Sequence, residues 1–310
     1  MKNSHIEWTD HTFNPWIGCT KVSPGCAHCY AEAMNIRWHK GANWGAGAPR
    51  VRTSKSYWQQ PLKWNEEAAY RFMDWNSETN LGKDLGEYQR PRVFCASLAD
   101  WLDDEVPIEW LIDLLALIDA TPNLDWLLLT KRPENFIGRI TAATHGKLSP
   151  FEVFRKMPNI WVGTSVENQE MADKRIPELL SIPARVRFHS CEPLLGPLNL
   201  VANVIQRGAH YKTLTSKDWL EHIHWVICGG ESGPNARPMH PDWARNLRDQ
   251  CSAAGVPFFF KQWGQQVRGD QITFDGIQDE EVVDNDRFYT ITSKSDFREL
   301  DGRQWNELPS

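Results

Sequence analysis

Three cysteines stand within eleven residues, Cys19-Thr-Lys-Val-Ser-Pro-Gly-Cys26-Ala-His-Cys29. Thiolates at such spacing are metal-ligand chemistry. Pro24 and Gly25 bend the chain just before the second cysteine, as a loop wrapping a metal requires. The next cysteine, Cys95, falls inside an apolar run. A four-iron cluster held by three cysteines keeps one iron open to an outside ligand, whereas one used only for electron transfer has every iron held by protein. Two other readings stay open. One is a Cys3His zinc site with His28, His11 or His39 as fourth ligand; the other is three unrelated thiols. The six-residue first gap is looser than common zinc loops.

A loop of this kind needs a scaffold behind it. From residue 93 on, short apolar runs end in polar or charged residues: 93–100, 125–132, 160–167, 186–192, 225–231 and 257–262. Runs of this type suit parallel strands buried on both faces. Trp126, Trp161 and Trp225 begin three of them and are expected in the core. Helices are expected at Ile108 to Ala120, at Gln169 to Leu180, and at Asp242 to Ala254, where Gly255 and Pro257 stop the last. Strands alternating with helices imply βαβ units. The expected fold is α/β, a full or partial parallel β/α barrel (TIM-like) of these strands plus one near Asn14–Gly18. A doubly wound open sheet is the alternative. The barrel domain is expected over 1–264, with an insertion at about 41–90. Residues 265–310 hold 11 acidic and 5 basic residues and are expected as an acidic C-terminal appendage packed on the barrel.

In a barrel the functional groups gather at the carboxyl ends of the strands. Here those ends carry Asp100, Lys131, Arg132, Thr164, Ser165, Glu167, His189, Cys191, Glu192, Glu231 and Lys261. Lys131 or Arg132 would hold a carboxylate or phosphate. Each also has a plainer reading: a helix cap, a rim ion pair or, for Cys191, a buried thiol. His189 is expected to be hydrogen-bonded in the core. Cys95, Cys228 and Cys251 are expected as core.

The three-cysteine loop followed by a β/α barrel resembles the radical S-adenosylmethionine (SAM) superfamily. More narrowly, Trp8-Thr-Asp-His-Thr-Phe-Asn-Pro-Trp-Ile-Gly-Cys19, Leu129-Thr-Lys-Arg-Pro133, Gly229-Gly-Glu-Ser-Gly-Pro234 and Phe260-Lys-Gln-Trp-Gly264 resemble a phage- and prophage-associated three-cysteine-motif family, viewed as radical-SAM-like. The resemblance implies that Cys19, Cys26 and Cys29 hold a [4Fe-4S] cluster, that SAM binds its open iron, and that an electron donor reduces it. Reductive cleavage would then give a 5′-deoxyadenosyl radical that takes hydrogen from a substrate. His28 occupies the place where the superfamily has an aromatic residue against the adenine. Ser97 and Asp100 would accept from the methionine ammonium. Thr164, Ser165 and Glu167 would bond the ribose, and Cys191 would return a hydrogen atom. The superfamily's usual first spacing is three residues. Its Gly-Gly-Glu follows the second strand, whereas Gly229-Gly-Glu231 here follows the sixth. The family is also linked to a methyltransferase-like three-Cys-motif partner protein.

Charge is uneven. The whole chain has a formal charge of −6, which excludes a generally basic coat for nucleic acid. Residues 1–64 nevertheless hold eight Lys+Arg and three Asp+Glu, and no acid lies between Glu32 and Glu66. Arg37, Lys40, Arg50, Arg52, Lys55 and Lys63 alternate there with Trp38, Trp44, Tyr57, Trp58 and Trp64. That composition suits a nucleic acid or nucleotide, with Arg50, Arg52 and Lys55 as substrate-binding candidates. A competing class is a non-catalytic nucleic-acid-binding or partner-docking protein with a structural Fe–S or zinc site. A zinc hydrolase is disfavoured because no H-E-x-x-H appears. No G-x-G-x-x-G or P-loop is present. MKNSHIEWTD has no apolar core of a secretory signal, and no apolar run suits a membrane span, so a cytoplasmic protein is expected.

Overall fold

Apolar runs pair with their neighbours in chain order. The computed structural model describes residues 1–77, 80, 87–201, 217–233, 235–269, 277–283, 286–291 and 297–309. Its first nine strands are β1 (His11–Thr12), β2 (Trp16–Ile17), β3 (Val51–Arg52), β4 (Arg92–Cys95), β5 (Asp125–Thr130), β6 (Ile160–Ser165), β7 (Val186–Cys191), β8 (Trp225–Gly229) and β9 (Phe258–Gln262). Seven form one parallel sheet in the order β1-β4-β5-β6-β7-β8-β9. The helices are α1 (Tyr30–His39), α2 (Lys55–Trp58), α3 (Gln60–Trp75), α4 (Ile108–Asp119), α5 (Phe136–Ala143), α6 (Pro150–Lys156), α7 (Gln169–Leu180), α8 (Lys217–Glu221) and α9 (Pro241–Ala254). From β4 onward every crossover between successive strands carries at least one helix, as parallel pairing requires.

The sheet curls. On a flat sheet β4 and β8 would lie four strand spacings, roughly 19 Å, apart. Yet the Trp8 ring centroid is 4.7 Å from Phe94 on β4 and 6.2 Å from Trp225 on β8. Trp8 therefore fills the lumen with Phe94, Leu127, Trp161, Phe188, Trp225, Ile227 and Phe259. The alternate residues, among them Trp126, Leu128, Val162, Cys191, Val226, Cys228 and Phe258, pack outward with the helices in a second, larger core. Among the described residues β1 and β9 stand at opposite ends of this order and do not pair with each other, so the curl is a partial barrel rather than a closed one.

The expected strand at 14–18 does not join this sheet. Pro15 lacks the N–H a ladder needs. The sheet strand is β1, just before it, and β2 turns away to pair antiparallel with β3. Within 41–90, α2 and α3 bury Trp58, Trp64 and Ala68 in the larger core, and Trp64 stacks on His11 at 4.4 Å. Residues 78–79 and 81–86 of that stretch lie outside the described residues, as do 202–216, Pro234 of the glycine-rich motif, and 270–276, 284–285, 292–296 and 310 of the tail.

Past 265, strands β10 (Gln266–Arg268), β11 (Ile277–Val283) and β12 (Asp286–Ile291) form an antiparallel sheet, and β13 (Glu299–Leu300) pairs with β14 (Arg303–Gln304). The chain then runs along β9: the Phe260 amide donates to the Trp305 carbonyl at 2.8 Å, and the Phe258 amide to Glu307 Oε2 at 2.9 Å. On the opposite edge Lys2 bridges His11 of β1. Among the described residues no helix is long and apolar enough to cross a membrane.

Candidate functional site

Cys19 follows β2, and Cys29 is the N-cap of α1. Between them Pro24–Cys26 form one 3-10 turn. All three thiols are free and line one cavity of about 630 Å³ at the carboxyl ends of the parallel strands. Its walls also carry His28, Tyr30, Ser97, Asp100, Lys131, Arg132, Ser165, Ser190, Glu192, Glu231, Ser232 and Lys261. Among the described residues no three His, Cys, Asp or Glu side chains are gathered about one point as a metal-ligand set. The three sulfurs share the cavity without converging. Burial pushes the Cys19 thiol up to about 11, aided by Asp100 and opposed by Arg132, and burial also raises Cys29.

The cysteine loop is clamped from four directions. The Gly25 amide donates to Glu167 Oε1 at 3.3 Å, and Glu167 is paired with Arg175 of α7 at 2.7 Å, both side chains at most 1% exposed. Arg237 donates to the Pro24 carbonyl at 3.0 Å and grips Glu231, whose other partner is His28 at 3.0 Å. Burial alone would raise the Glu231 carboxyl, but the hydrogen bonds from Arg237 outweigh it and hold it below the usual range. Arg132 donates to the Thr20 carbonyl at 2.7 Å and reaches Cys19 Sγ at 3.5 Å. Lys21 closes the loop on itself through the Ala27 carbonyl.

The strand-end residues divide by face. Successive strand residues point to opposite sides. Ser165 and Ser190 therefore face the cavity with Lys131 and Lys261, whereas Thr164, His189 and Cys191 point out beneath the helices. Thr164 donates to the Thr130 carbonyl at 3.0 Å. Cys191 is fully buried in the larger core with Cys228 and Cys251, and burial raises its thiol far above the ordinary value. It is not among the residues that line the cavity. His189 is buried as expected, but its two ring nitrogens have no hydrogen-bond partner among the described residues. That corrects the expectation of a hydrogen-bonded histidine.

Asp100 is a hub. It accepts from Thr130 Oγ1 at 2.7 Å, the Lys131 amide at 2.9 Å, the Leu102 amide at 3.0 Å and Arg132 Nη1 at 3.1 Å. Four donors fill a carboxylate. Ser97 Oγ is bonded to Asn14, and the Ser97 carbonyl accepts from Tyr30 at 2.6 Å. The Lys131 ammonium, by contrast, faces the cavity without a hydrogen bond or ion pair among the described residues. Lys261 Nζ is paired with Glu192 at 2.6 Å.

Arg50, Arg52 and Lys55 lie away from this cavity. The Arg50 side chain is 1% exposed and is held by Asp103 at 2.8 Å, the Gly45 and Ala48 carbonyls, and Thr20. Arg52 pairs with Asp113 at 2.6 Å and lies 4.2 Å over the Trp58 ring. With Lys55 it lines a separate hollow beside α2. Sequence reasoning left Tyr30, Ser190 and Ser232 out of the site. It also left out Arg175 and Arg237, which complete the clamp from outside any motif. Ser190 could have been found by alternation from Glu192, a strand-end residue already singled out two positions further on.

Fold and site define an α/β protein with an open parallel β/α barrel and three free thiols at its mouth. The chain belongs to a family described as "Protein of unknown function (DUF5131)", whose profile matches residues 3–309. No curated protein and no solved structure matches it.

Proposed function

We propose that this chain is a radical-SAM-like iron–sulfur enzyme, with Cys19, Cys26 and Cys29 as the ligands of a [4Fe-4S] cluster and the barrel mouth as the site for SAM and substrate. The observation that carries the reading is the presence of three free thiols, and no other cysteine, on the wall of one strand-end cavity. The donor types fit: three thiols suit iron–sulfur ligation once the loop draws their sulfurs together, and Arg132 Nη1 lies 3.5 Å from Cys19 Sγ. When bound, such a cluster supplies a reducing electron and an open iron that takes the amino and carboxylate groups of SAM.

The chain's own residues have definable tasks in this reading. Glu167, through the Gly25 amide, and Arg237, through the Pro24 carbonyl, fix the loop that carries Cys26. Arg132 ties Cys19 to Asp100 and so to the ends of β4 and β5. Lys131, without a partner among the described residues, offers a cation for a carboxylate or phosphate inside the mouth. Ser165, Ser190 and Ser232 offer hydroxyls to polar ligand atoms. Trp8 and its aromatic neighbours close the lumen below and keep water out. An external electron donor and the companion partner protein belong to the same reading.

The test is anaerobic reconstitution with iron and sulfide, followed by incubation with SAM and a strong reductant. About four irons per chain and formation of 5′-deoxyadenosine are expected. Replacing Cys19, Cys26 or Cys29 by Ser should abolish both, while Cys191→Ser should leave iron content unchanged. Zinc alone at the loop, or iron content indifferent to these substitutions, would sink the proposal.

A further inference from the structure

Helix α1 is oddly bare. Of its ten residues only Ala31 and Asn35 are buried, while Tyr30 is 48%, Ile36 57% and Trp38 56% exposed. Tyr30, Met34 and Trp38 recur every four residues, so they form one stripe, and all three line the cavity mouth. Arg37 lies three residues after Met34 and seven after Tyr30, on the flank of that stripe. His39 and Lys40 follow at its end, both exposed. The helix has one acid, Glu32, and Lys21 already neutralises it at 2.6 Å. Arg37 and Lys40 have no ion pair among the described residues.

Rings at the rim, cations beside them and Lys131 within, none of them ion-paired among the described residues, make a gradient from flat apolar contact to anion contact. An anionic membrane would also take rings and cations, but a flat surface cannot carry a charged unit into the cavity as far as Lys131. A polyanion with flat rings uses both. We infer that α1 is the docking surface for single-stranded nucleic acid, which stacks bases on Tyr30 and Trp38, lays phosphates along Arg37 and Lys40, and presents one nucleotide to the mouth beside Lys131. The inference deepens the proposed reading by naming the substrate class of the same site. It also moves the nucleic-acid contact from Arg50 and Arg52, which are engaged internally, to Arg37 and Lys40.

The experiment is fluorescence anisotropy of a labelled twelve-residue oligothymidylate, and of a duplex of equal length, against the full chain over a range of salt. Tight single-strand binding with a weaker duplex is expected. Trp38→Ala should weaken the single strand about tenfold. The double variant Arg37→Ser, Lys40→Ser should lower the slope of log affinity against log salt by about 1.4, from roughly 0.7 per lost phosphate contact. The exposure of these side chains makes both variants compatible with folding, which circular dichroism checks. No binding at low salt, or affinity unchanged in both variants, overturns the inference. So does a concentration-dependent dimer, seen by light scattering, that Trp38→Ala dissolves, because a second copy would then be the occupant. Binding needs no reductant or SAM. Loss of 5′-deoxyadenosine with binding intact would therefore sink the proposed chemistry alone, and the converse would sink this inference alone.

Discussion

A side chain at Gly25 would crowd Glu167: a Cβ there would lie 3.0 Å from its carboxyl carbon and Oε1. Glu167 in turn is a buried anion whose counter-ion, Arg175, is equally buried. Removing one member of such a pair leaves an uncompensated charge and costs about 3–5 kcal/mol. Glu167→Ala should lower stability by that order in urea melts and should raise the rate at which Cys26 reacts with a thiol reagent, since the Gly25 amide loses its acceptor. An unchanged thiol rate would show that the anchor does not matter to the cysteine. His189 gives a second residue-scale prediction. Burial lowers its pKa to about 3, so the folded protein keeps it neutral while the unfolded chain titrates near 6.5. Below about pH 6.5 the unfolded state binds the extra proton, and this group withdraws about 1.4 kcal/mol of stability per pH unit until its folded pKa is reached. Denaturation midpoints measured from pH 7 to 4 should fall less steeply in His189→Met. At this scale the three thiols and Lys131 were legible, because their chemistry or place in a run marks them. Thr164 and Cys191 were misplaced, because choosing between neighbours such as Thr164 and Ser165 requires knowing which face of the strand is the lumen.

The glycine-rich end of β8 shows how an element can mimic a ligand motif. Gly229-Gly-Glu231 reads as backbone opened to a ligand, yet a Cβ on Gly230 would sit 1.8 Å from the Trp263 carbonyl oxygen. Gly230 also donates to the Gln262 carbonyl at 2.9 Å, so the missing side chain lets the turn after β9 close on β8. Gly230→Ala should cost about 3 kcal/mol through overpacking. The nearby Gly233, at φ +105° but in open space, should tolerate Ala with a smaller loss from backbone strain alone. Thermal melts of the two variants check the order. The periodic helices were legible: α7 spans Gln169–Leu180, and α9 ends where Gly255 adopts φ 69°. α1 was not, because it turns only Ala31 and Asn35 toward the interior, too few to mark a core-facing side in the sequence. Nor was β1, two residues long and defined only by its neighbour β4.

For the molecule as a whole, the expectation of a full or partial barrel resolves to seven strands and an opening. The strand runs revealed the parallel sheet, because continuous apolar segments mark burial on both faces. Closure depends on strand number and tilt, which no single segment encodes. An open curl leaves two rows of backbone donors and acceptors, and a bare row invites pairing with another chain. Here residues 304–308 lie against one row through Trp305 and Glu307, and Leu308 enters the lumen with Trp8. Deleting residues 303–310 should therefore yield protein that scatters light within hours at micromolar concentration while the intact chain stays clear. A clear solution of the shortened chain would show that β9 is protected in some other way.

The same geometry bears on how the molecule ages. The strap along β9 is held by hydrogen bonds to Phe258, Phe260 and Trp225 and by the lodging of Trp305 and Leu308, and it lines no wall of the cavity. A protease that nicked it would leave every cavity wall in place. Loss of usable protein would then come first from clumping of otherwise intact barrels, and only afterwards from any failure of the thiol-lined mouth.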